Sequence, residues 1–363
     1  MNAAPCPTID IDPASVRRIL VCQLRQIGDV VLTTPSISLL RKRFPDAQIH
    51  VLTMKVNEAV LAQNPDVDKL WLIDRNAHRN IFTQFRFYLR VVQQRFDIIV
   101  DFQQLPRIRN VVALARFFKP YSERQIRLSF TPPWYNRPFY THWCKMINGY
   151  AAKAKASVLR PLGIEWNGER PSMRFTTEER AQADATLYEL GIGRHDFLVT
   201  VDPTHRRETR CWPAEYYGRL AAMAAEANPR IKFLVFHGPG EEEEVQKVEQ
   251  AANSPAVIVP KRLFSIREMS TLIARANMHF GNCSAPRHIA VAVGTPTFTV
   301  LGSTSSAWTF PAPEHEHFSL GLDCQPCNDN ACRLGDIRCL RNLTPERLLP
   351  EFMERVARYD REA

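Results

Sequence analysis

The sequence has 363 residues, of which 45% are hydrophobic and 23% charged, and its length predicts two domains. The near-average apolar content excludes a disordered chain, and no apolar run reaches the roughly 20 residues that span a bilayer. Residues 1–13 lack the order of a signal peptide, so we expect a soluble cytoplasmic protein. The 47 Lys and Arg against 38 Asp and Glu give a net charge of +9, which attracts nucleic acid, phosphorylated small molecules or an anionic membrane.

In both halves of the chain, short β-branched runs alternate with helical patterns, which is typical of parallel α/β sheets. In the first half, strands are predicted at residues 19–22, 49–53, 70–73 and 98–101, and helices at 31–44 and 82–96. Residues 131–138 contain three Pro, which exclude a helix interior or a central strand and predict a surface loop.

In the second half, strands are predicted at residues 197–202, 231–237, 257–259, 278–280 and 297–301, with helices at 214–227, 241–252, 266–276 and 286–293. We therefore predict one domain over residues 1–175 and another over 176–345. The remaining segment, 346–363, is predicted to be a helix that packs back on the first domain. Parallel sheets bind ligands at the carboxyl ends of their strands, and a cleft between two such domains suits a two-substrate reaction.

Gly28 and Asp29 follow the first predicted strand. Gly28 permits a tight turn into the next helix, and Asp29 then stands at the start of that helix. The carboxylate is either a helix cap or a general base that removes a proton from a substrate hydroxyl. No Gly-x-Gly-x-x-Gly or Walker-type loop occurs, which disfavours an ordinary nicotinamide, flavin or P-loop protein.

A basic loop follows the first strand of the second half and contains Thr204, Arg206, Arg207 and Arg210. Guanidinium groups bind phosphate oxygens in pairs, so this loop suits a diphosphate. A solvated basic loop is the alternative.

Four consecutive Glu, at residues 241–244, follow the second strand of that half. Most of this run is predicted to cap a helix, because acidic side chains favour a helix start. Glu242 is the candidate for accepting the two hydroxyls of a ribose.

Residues 280–297 read as a strand, a small-residue turn and a short helix that ends at Gly294. Ser284 is predicted to cap this helix, whose first N–H groups suit a phosphate. Arg287 and His288 lie in the first turn and add positive or polar groups, although one His near a helix start is often structural.

Four cysteines lie within 16 residues near the C-terminus: Cys324, Cys327, Cys332 and Cys339. Their number and the two-residue spacing of the first pair suit a tetrahedral structural zinc site. Reduced structural cysteines or disulfide pairs are the alternatives. The other five are scattered and expected to be reduced in the cytoplasm: Cys6, Cys22, Cys144, Cys211 and Cys283.

Over most of its length, the sequence resembles glycosyltransferase family 9, the lipopolysaccharide heptosyltransferases of Gram-negative bacteria. The resemblance rests on four segments: residues 28–35, 96–101, 210–213 and 281–297. It implies the α/β GT-B fold, in which two Rossmann-like domains face each other across a cleft. The first domain would bind the acceptor, and the second an ADP-sugar, usually ADP-heptose.

By the same resemblance, Asp29 is the base that deprotonates the acceptor hydroxyl, and inversion at the anomeric carbon needs no metal or other cofactor. The acceptor would be a lipopolysaccharide core at the cytoplasmic face of the inner membrane. The basic surface would favour anionic lipid headgroups there without insertion. Nucleic acid is not expected as a partner, because no recognised nucleic-acid-binding module occurs.

The sequence departs from the family pattern around the predicted donor site. Cys283 and Ala285 stand where the family usually has Asp and Gly, Arg210 where it commonly has Lys, and Arg287 where it usually has an uncharged residue. By the same resemblance, the family's Asp contacts the donor, so its replacement by Cys283 removes that contact and affects which sugar is bound. A nucleotide-sugar-binding protein of the same fold without transferase activity is therefore the alternative function.

Overall fold

In a computed structural model of the chain, which describes residues 8–74, 76–77, 80–118 and 125–360, two compact units are present, Met1–Arg174 and Phe175–Ala363. Cys6, expected to be a reduced thiol, lies outside the described residues. Within the described ranges, no helix has the length and apolar character needed to cross a membrane.

The first unit contains a parallel sheet with the strand order β3-β2-β1-β4-β5-β6. Its strands are β1 (Arg18–Cys22), β2 (Gln48–Met54), β3 (Lys69–Ile73), β4 (Ile98–Asp101), β5 (Ile126–Phe130) and β6 (His142–Cys144). Its α-helices are α1 (Ile27–Val31), α2 (Thr34–Arg43), α3 (Glu58–Leu61), α4 (Ile81–Val92), α5 (Pro106–Phe118) and α6 (Ala151–Ala156). The described residues of this unit also form 3₁₀ helices at Pro13–Ser15, Lys55–Asn57, Trp134–Phe139 and Ser157–Leu162.

Helices α4 and α5 cover one face of this sheet because each has an apolar stripe. Phe87 and Val91 of α4 join Ile108 and Val112 of α5 in a single buried cluster with Ile99 of β4. The carboxyl ends of β1 and β4 are adjacent, with Cys22 paired to Asp101. The loops that follow these two strands therefore meet at one edge of the sheet.

The second unit repeats this architecture with the strand order β12-β11-β10-β7-β8-β9. Its strands are β7 (Phe197–Asp202), β8 (Ile231–Val235), β9 (Val257–Ile258), β10 (Met278–Gly281), β11 (Thr297–Val300) and β12 (His315–Phe318). Its α-helices are α7 (Thr177–Glu189), α8 (Ala214–Ala227), α9 (Glu242–Ala252), α10 (Ile266–Arg275), α11 (Ala285–Val293), α12 (Arg338–Arg341) and α13 (Pro345–Tyr359). Glu208–Arg210 and Ser306–Trp308 are 3₁₀ helices.

The C-terminal helix α13 belongs to the core of the second unit. Leu348, Phe352 and Val356 are buried there, and the ring of Phe352 lies 5.9 Å from that of Phe233. The sequence predicted that this helix packs against the first domain, whereas its apolar stripe packs in the core of its own unit.

Two further local predictions are corrected. The helix predicted over residues 31–44 is divided into α1 and α2, because Pro35 lies in the first turn of a new helix that begins at Thr34. The Pro-rich stretch predicted as a loop contains the 3₁₀ helix Trp134–Phe139, whose tighter turn accommodates Pro138.

Candidate active site

Asp29 lies in the short helix α1, just beyond the carboxyl end of β1. It is not the N-cap residue, which is Gln26, but it takes part in a capping box: the backbone N–H of Gln26 donates to Asp29 Oδ2 at 3.3 Å. The Asp29 side chain is still 31% exposed. Gly28 is buried beside it in the first turn. Both readings from the sequence are therefore compatible, since the carboxylate supports the helix start and stays open to a substrate.

Lys155 of α6 forms an ion pair with Asp29, at 2.9 Å between Nζ and Oδ1. The Lys155 side chain is only 12% exposed, and its Nζ also donates to Gln23 Oε1 at 3.2 Å. Gln23 is fully buried and accepts a further hydrogen bond from the hydroxyl of Thr33. Lys155 thus connects the carboxylate to a rigid buried network. It was missed in the sequence analysis because 126 residues separate it from Asp29 and no local motif marks it.

The loop that carries Asp29 is braced by the end of β4. The side chain of Gln103 accepts hydrogen bonds from the backbone N–H groups of Leu24 and Arg25 at 2.9 and 3.0 Å. Gln103 is itself positioned by Asp101, whose Oδ1 accepts its backbone N–H at 2.8 Å. Burial raises the pKa of Asp101, and the hydroxyl of Tyr140 donates to its other oxygen at 2.5 Å. Asp101 is thus an interior support for the Asp29 loop.

In the second unit, three of the predicted segments follow the neighbouring strands β10, β7 and β8. Asp202, at the end of β7, connects them: the hydroxyl of Ser284 donates to its Oδ2, and Glu241 lies close enough to act on its charge. Burial raises the pKa of Asp202 to about 7, and the Glu241 carboxylate adds to that rise. A Cβ on Gly281 would come within 2.7 Å of the Asp202 carbonyl oxygen, so only glycine fits this close approach.

Ser284 does not cap helix α11 as predicted. It occupies the N-cap position, but its side chain makes no capping hydrogen bond because its hydroxyl is directed to Asp202. Ser284 and Ala285 are half-buried, so the start of α11 reaches the surface of the unit. Its first N–H groups are not bonded by the Ser284 hydroxyl, which fits a helix start that binds an anion.

The basic loop presents two exposed guanidinium groups, Arg206 and Arg207, and a half-buried one, Arg210. Burial and the neighbouring charge of Arg207 lower the pKa of Arg210. Thr204, in contrast, is buried and donates its hydroxyl to Glu241 Oε2 at 2.7 Å. The arginines can therefore meet an anionic ligand, while Thr204 orders the loop.

The structure distinguishes between neighbouring glutamates in the predicted ribose segment. Glu242 is exposed in the first turn of α9, and the backbone N–H groups of Glu242 and Gly240 lower its pKa, as expected of a helix-start carboxylate. Glu241 instead turns toward the strand ends, where its Oε2 accepts the N–H of Gly238 at 2.7 Å in addition to Thr204. Glu242 was the residue predicted to bind the ribose, and no feature of the sequence distinguishes Glu241 from it.

Besides Gly28 and Thr204, three more of the residues predicted to bind substrate are buried: Cys283, Arg287 and His288. Arg287 is 1% exposed and donates one Nη to the carbonyl oxygen of Trp308. The ring of His288 lies 5.9 Å from that of Trp308. Arg287 and His288 thus lie on the inner side of α11 rather than at its exposed start, a distinction that their sequence positions alone do not make.

The four C-terminal cysteines form no disulfides, and Cys339 is buried whereas Cys324 and Cys327 are exposed. Backbone N–H groups of Ile337 and Leu334 lower the pKa of Cys332. Burial, and then the charges of the other three thiolates, raise the pKa of Cys339 to about 11. The thiols therefore lie near one another. In the part of the chain that the structure describes, however, no three His, Cys, Asp or Glu side chains are placed to share a metal ion.

Among the scattered cysteines, Cys144 differs from the expectation of reduced thiols because it is disulfide-bonded. Cys22, Cys211 and Cys283 are free.

Comparison with known proteins identifies relatives for both units. The family model described as "Glycosyltransferase family 9 (heptosyltransferase)" matches residues 85–338. Lipopolysaccharide heptosyltransferase 3 of Escherichia coli is 27% identical over 298 residues, which cover 79% of this chain and 84% of that protein.

Two solved structures share the fold. The glycosyl transferase family 9 structure from Veillonella parvula DSM 2008 has a TM-score of 0.81 at 22% identity and covers 97% of this chain and 99% of that one. The E. coli ADP-heptose lps heptosyltransferase II structure has a TM-score of 0.73 at 15% identity and covers 94% of this chain and 99% of that one. These likenesses and the two parallel six-stranded sheets confirm the prediction of an α/β GT-B fold. Because the family model covers well over half of its length, the chain belongs to glycosyltransferase family 9.

Proposed function

We propose that this protein transfers a heptose from ADP-heptose to a lipopolysaccharide core acceptor, with inversion at the anomeric carbon. The observation that carries the proposal is the partly exposed Asp29 carboxylate at the end of β1, in a chain that belongs to a heptosyltransferase family. The names of its relatives support the substrates, since they include a lipopolysaccharide heptosyltransferase and an ADP-heptose heptosyltransferase.

In the proposed reaction, Asp29 accepts the proton of the acceptor hydroxyl while the oxygen of that hydroxyl attacks the anomeric carbon. The new C–O bond forms as the bond between the anomeric carbon and the diphosphate breaks, and ADP leaves with the bonding electron pair. A single displacement of this kind inverts the anomeric centre. Both carboxylate oxygens of Asp29 already accept a hydrogen bond, yet each can accept another, so the base is oriented without being blocked.

The negative charge that develops on the diphosphate requires positive groups on the donor side. We assign this role to Arg206, Arg207 and Arg210, together with the N-terminus of α11. No step is assigned to a metal ion.

Replacing Asp29 with Asn tests the base directly, because Asn keeps the size of the side chain and an oxygen for the N–H of Gln26. We expect kcat for transfer from ADP-heptose to a truncated core acceptor to fall by about 10²- to 10⁴-fold. Calorimetric affinity for ADP should stay unchanged, since Asp29 lies in the first unit. Equal product formation by the variant would remove Asp29 as the base.

A nucleotide-sugar-binding protein without transferase activity is not favoured, because the predicted base is both present and accessible. Tight binding of ADP-heptose by the unmodified protein, with no product on any core acceptor, would favour that alternative.

We also propose that the acceptor is reached at the cytoplasmic face of the inner membrane and that the net charge of +9 attracts anionic lipids there. Binding to vesicles, described below, tests this location.

For the four C-terminal cysteines we retain the proposal of a structural zinc or another thiophilic metal. It is supported by their proximity and by the lowered pKa of Cys332, because metals bind the thiolate form. It requires the thiols to move closer together, because no three metal-binding side chains in the described residues are placed to share an ion. Metal analysis of protein purified without a chelator should find bound metal that the double variant Cys324→Ser/Cys327→Ser lacks, and metal-free wild-type protein would contradict it.

A further inference from the structure

The net positive charge of this chain arises in one segment of the first unit. Residues 75–147 contain 13 Lys and Arg and three Asp and Glu. The rest of the chain contains 34 Lys and Arg and 35 Asp and Glu. The excess of positive charge over the whole sequence therefore arises in the segment that contains α4, α5 and the 3₁₀ helix Trp134–Phe139.

The acidic residues in this segment do little to offset that charge at the surface. Asp97 accepts the backbone N–H groups of Arg17 and Arg18, each at 2.8 Å. Asp101 is buried and accepts the hydroxyl of Tyr140. The third, Glu123, lies outside the described residues.

Large apolar side chains stand exposed in the same segment. Phe82 is 73% exposed and Trp134 78% exposed, and Ile81, Phe85 and Tyr135 are also exposed. We call these five residues the aromatic surface. Helix α4 buries Phe87, Tyr88 and Val91 against the sheet, so the apolar residues in its first turns are additional to those that the fold requires. Exposed apolar groups of this size mark interaction sites in soluble proteins.

The topology places the two parts of the aromatic surface at one edge of the sheet. Helix α4 follows β3, and the 3₁₀ helix follows β5. The carboxyl ends of parallel strands share an edge, and Asp29 follows β1 at that same edge. Helix α5 packs beside α4 and is joined to the 3₁₀ helix by a 3.0 Å hydrogen bond from Arg109 to the side chain of Asn136.

Exposed arginines flank the aromatic surface: Arg86 and Arg90 on α4, Arg107 on α5 and Arg137 on the 3₁₀ helix. Aromatic side chains favour the interface of a bilayer, where their rings meet the acyl boundary. Each Lys or Arg near an anionic membrane adds to the electrostatic attraction between protein and lipid. The exposed apolar side chains suit the acyl boundary of a bilayer, and the arginines around them suit its anionic headgroups.

We propose that the aromatic surface enters the interface of an anionic bilayer while the surrounding arginines bind lipid headgroups. This deepens the proposed function, since the acceptor is lipid-anchored and the surface shares its sheet edge with Asp29. It also goes beyond electrostatic attraction without insertion, because Phe82 and Trp134 enter the lipid.

The test is cosedimentation of the full chain with phosphatidylcholine vesicles with and without phosphatidylglycerol. We expect binding to the anionic vesicles, and a loss of affinity of about tenfold or more in Phe82→Ser/Trp134→Ser. The matched control is Tyr188→Ser, which removes an 84% exposed aromatic from α7 in the second unit and should bind as the wild type does. Thermal unfolding of all variants checks the fold.

Transfer to a delipidated, water-soluble core acceptor should be unchanged in Phe82→Ser/Trp134→Ser, whereas Asp29→Asn should bind vesicles normally without making product. The two proposals therefore fail separately. The proposed membrane contact would be overturned if the wild-type protein did not cosediment with anionic vesicles, or if the double variant bound them as well as the wild type does. So would a double variant that changes only the oligomeric state or the retention of single-stranded RNA, which would assign the surface to a second copy or to nucleic acid.

Discussion

A catalytic carboxylate must be held in place without being closed off from its substrate. Asp29 meets both conditions, because Lys155 and the N–H of Gln26 hold its two oxygens while 31% of the side chain is exposed. The contact with Lys155 joins α1 to α6, so the orientation of the base depends on a residue outside its own loop. We therefore regard Lys155 as a positioning residue for the proposed reaction.

Substitution of Lys155 tests this role. Lys155→Met keeps the length of the side chain but removes the ion pair, so only the N–H of Gln26 still orients Asp29 and we expect kcat to fall by about 10- to 100-fold. The KM values for donor and acceptor should change much less, because neither substrate is assigned to Lys155. Steady-state kinetics with separately varied substrates measure the two effects.

Lys155→Arg is the conservative control, since it keeps the positive charge and can donate to the same carboxylate. It should recover most of the kcat lost in Lys155→Met. If both variants lose activity equally, or if KM rises while kcat is kept, then Lys155 does not position the base.

Asp202 should make the stability of the protein depend on pH. Its pKa is about 7 in the folded chain and about 3.9 when unfolded, so below about pH 4 both states are protonated and its contribution is fully present. As the pH rises from about 4 to 7, the unfolded chain has released the proton that the folded chain still holds, so the free energy of unfolding decreases. Between about pH 5 and pH 8 the expected decrease is on the order of 2 to 3 kcal/mol.

Urea unfolding of the wild type and of Asp202→Asn at those two pH values measures this contribution. Asn cannot titrate and can still accept the Ser284 hydroxyl, so the variant should lack this part of the pH dependence. An identical pH dependence in the two proteins would mean that Asp202 does not titrate in this range.

Residues with a local signal could be identified from the sequence, and residues defined by tertiary contacts could not. Gly28 and Asp29 follow a strand directly, and that adjacency identified them. Lys155 has no such signal, because only the packing of α6 brings it to Asp29. Glu241 and Glu242 are consecutive, and only the fold of the turn decides which one faces the strand ends.

At the scale of elements, the sequence predicted the central strands well and the marginal ones poorly. Strands such as β4 and β7 are buried on both faces and appear as continuous apolar runs. Strands β5, β6 and β12 were missed because Arg, Ser, His or Glu interrupt them. Strands β6 and β12 lie at the edges of their sheets, where a strand needs less apolar sequence and its pattern is weak. Strand β5 is an interior, mostly buried strand, and its pattern was hidden by Arg127 and Ser129.

Helix α13 gives a prediction at this scale, because it completes the core of the second unit. Phe352 is fully buried and its ring lies 5.3 Å from that of Phe280 in β10. Phe352→Ala should therefore lower the free energy of unfolding by about 3 to 5 kcal/mol, since the resulting cavity cannot close completely.

The control for this variant is Phe82→Ala, which truncates an exposed Phe on α4 and should change stability by no more than about 0.5 kcal/mol. Urea unfolding of both variants makes the comparison. A loss below about 1 kcal/mol in Phe352→Ala would place this helix outside the core that the structure describes.

Across the whole molecule, the same sheet topology occurs twice, but the chemistry differs between the units. The first contains the candidate base and the segment from which all of the net positive charge arises. The second has its basic loop, Glu241 and the start of α11 on three neighbouring strands. This division could be predicted from the sequence, because the strands, the helices and the motifs that follow them are identified by local sequence patterns. It did not predict the aromatic surface, because exposure depends on which face of α4 the sheet covers.

This division predicts where a nucleotide stabilises the chain. A ligand present at 100 times its Kd raises the free energy of opening of the region that binds it by about 2.7 kcal/mol. Hydrogen exchange in that region therefore slows about 100-fold. With ADP, the amides of β7, β10 and the first turn of α11 should therefore become strongly protected, while those between β1 and α1 change much less. Hydrogen exchange followed by mass spectrometry measures both regions in one sample, and Asp29→Asn should give the same pattern. Protection of the β1–α1 loop by ADP, with β7 and β10 unchanged, would reverse the assignment of donor and acceptor to the two units.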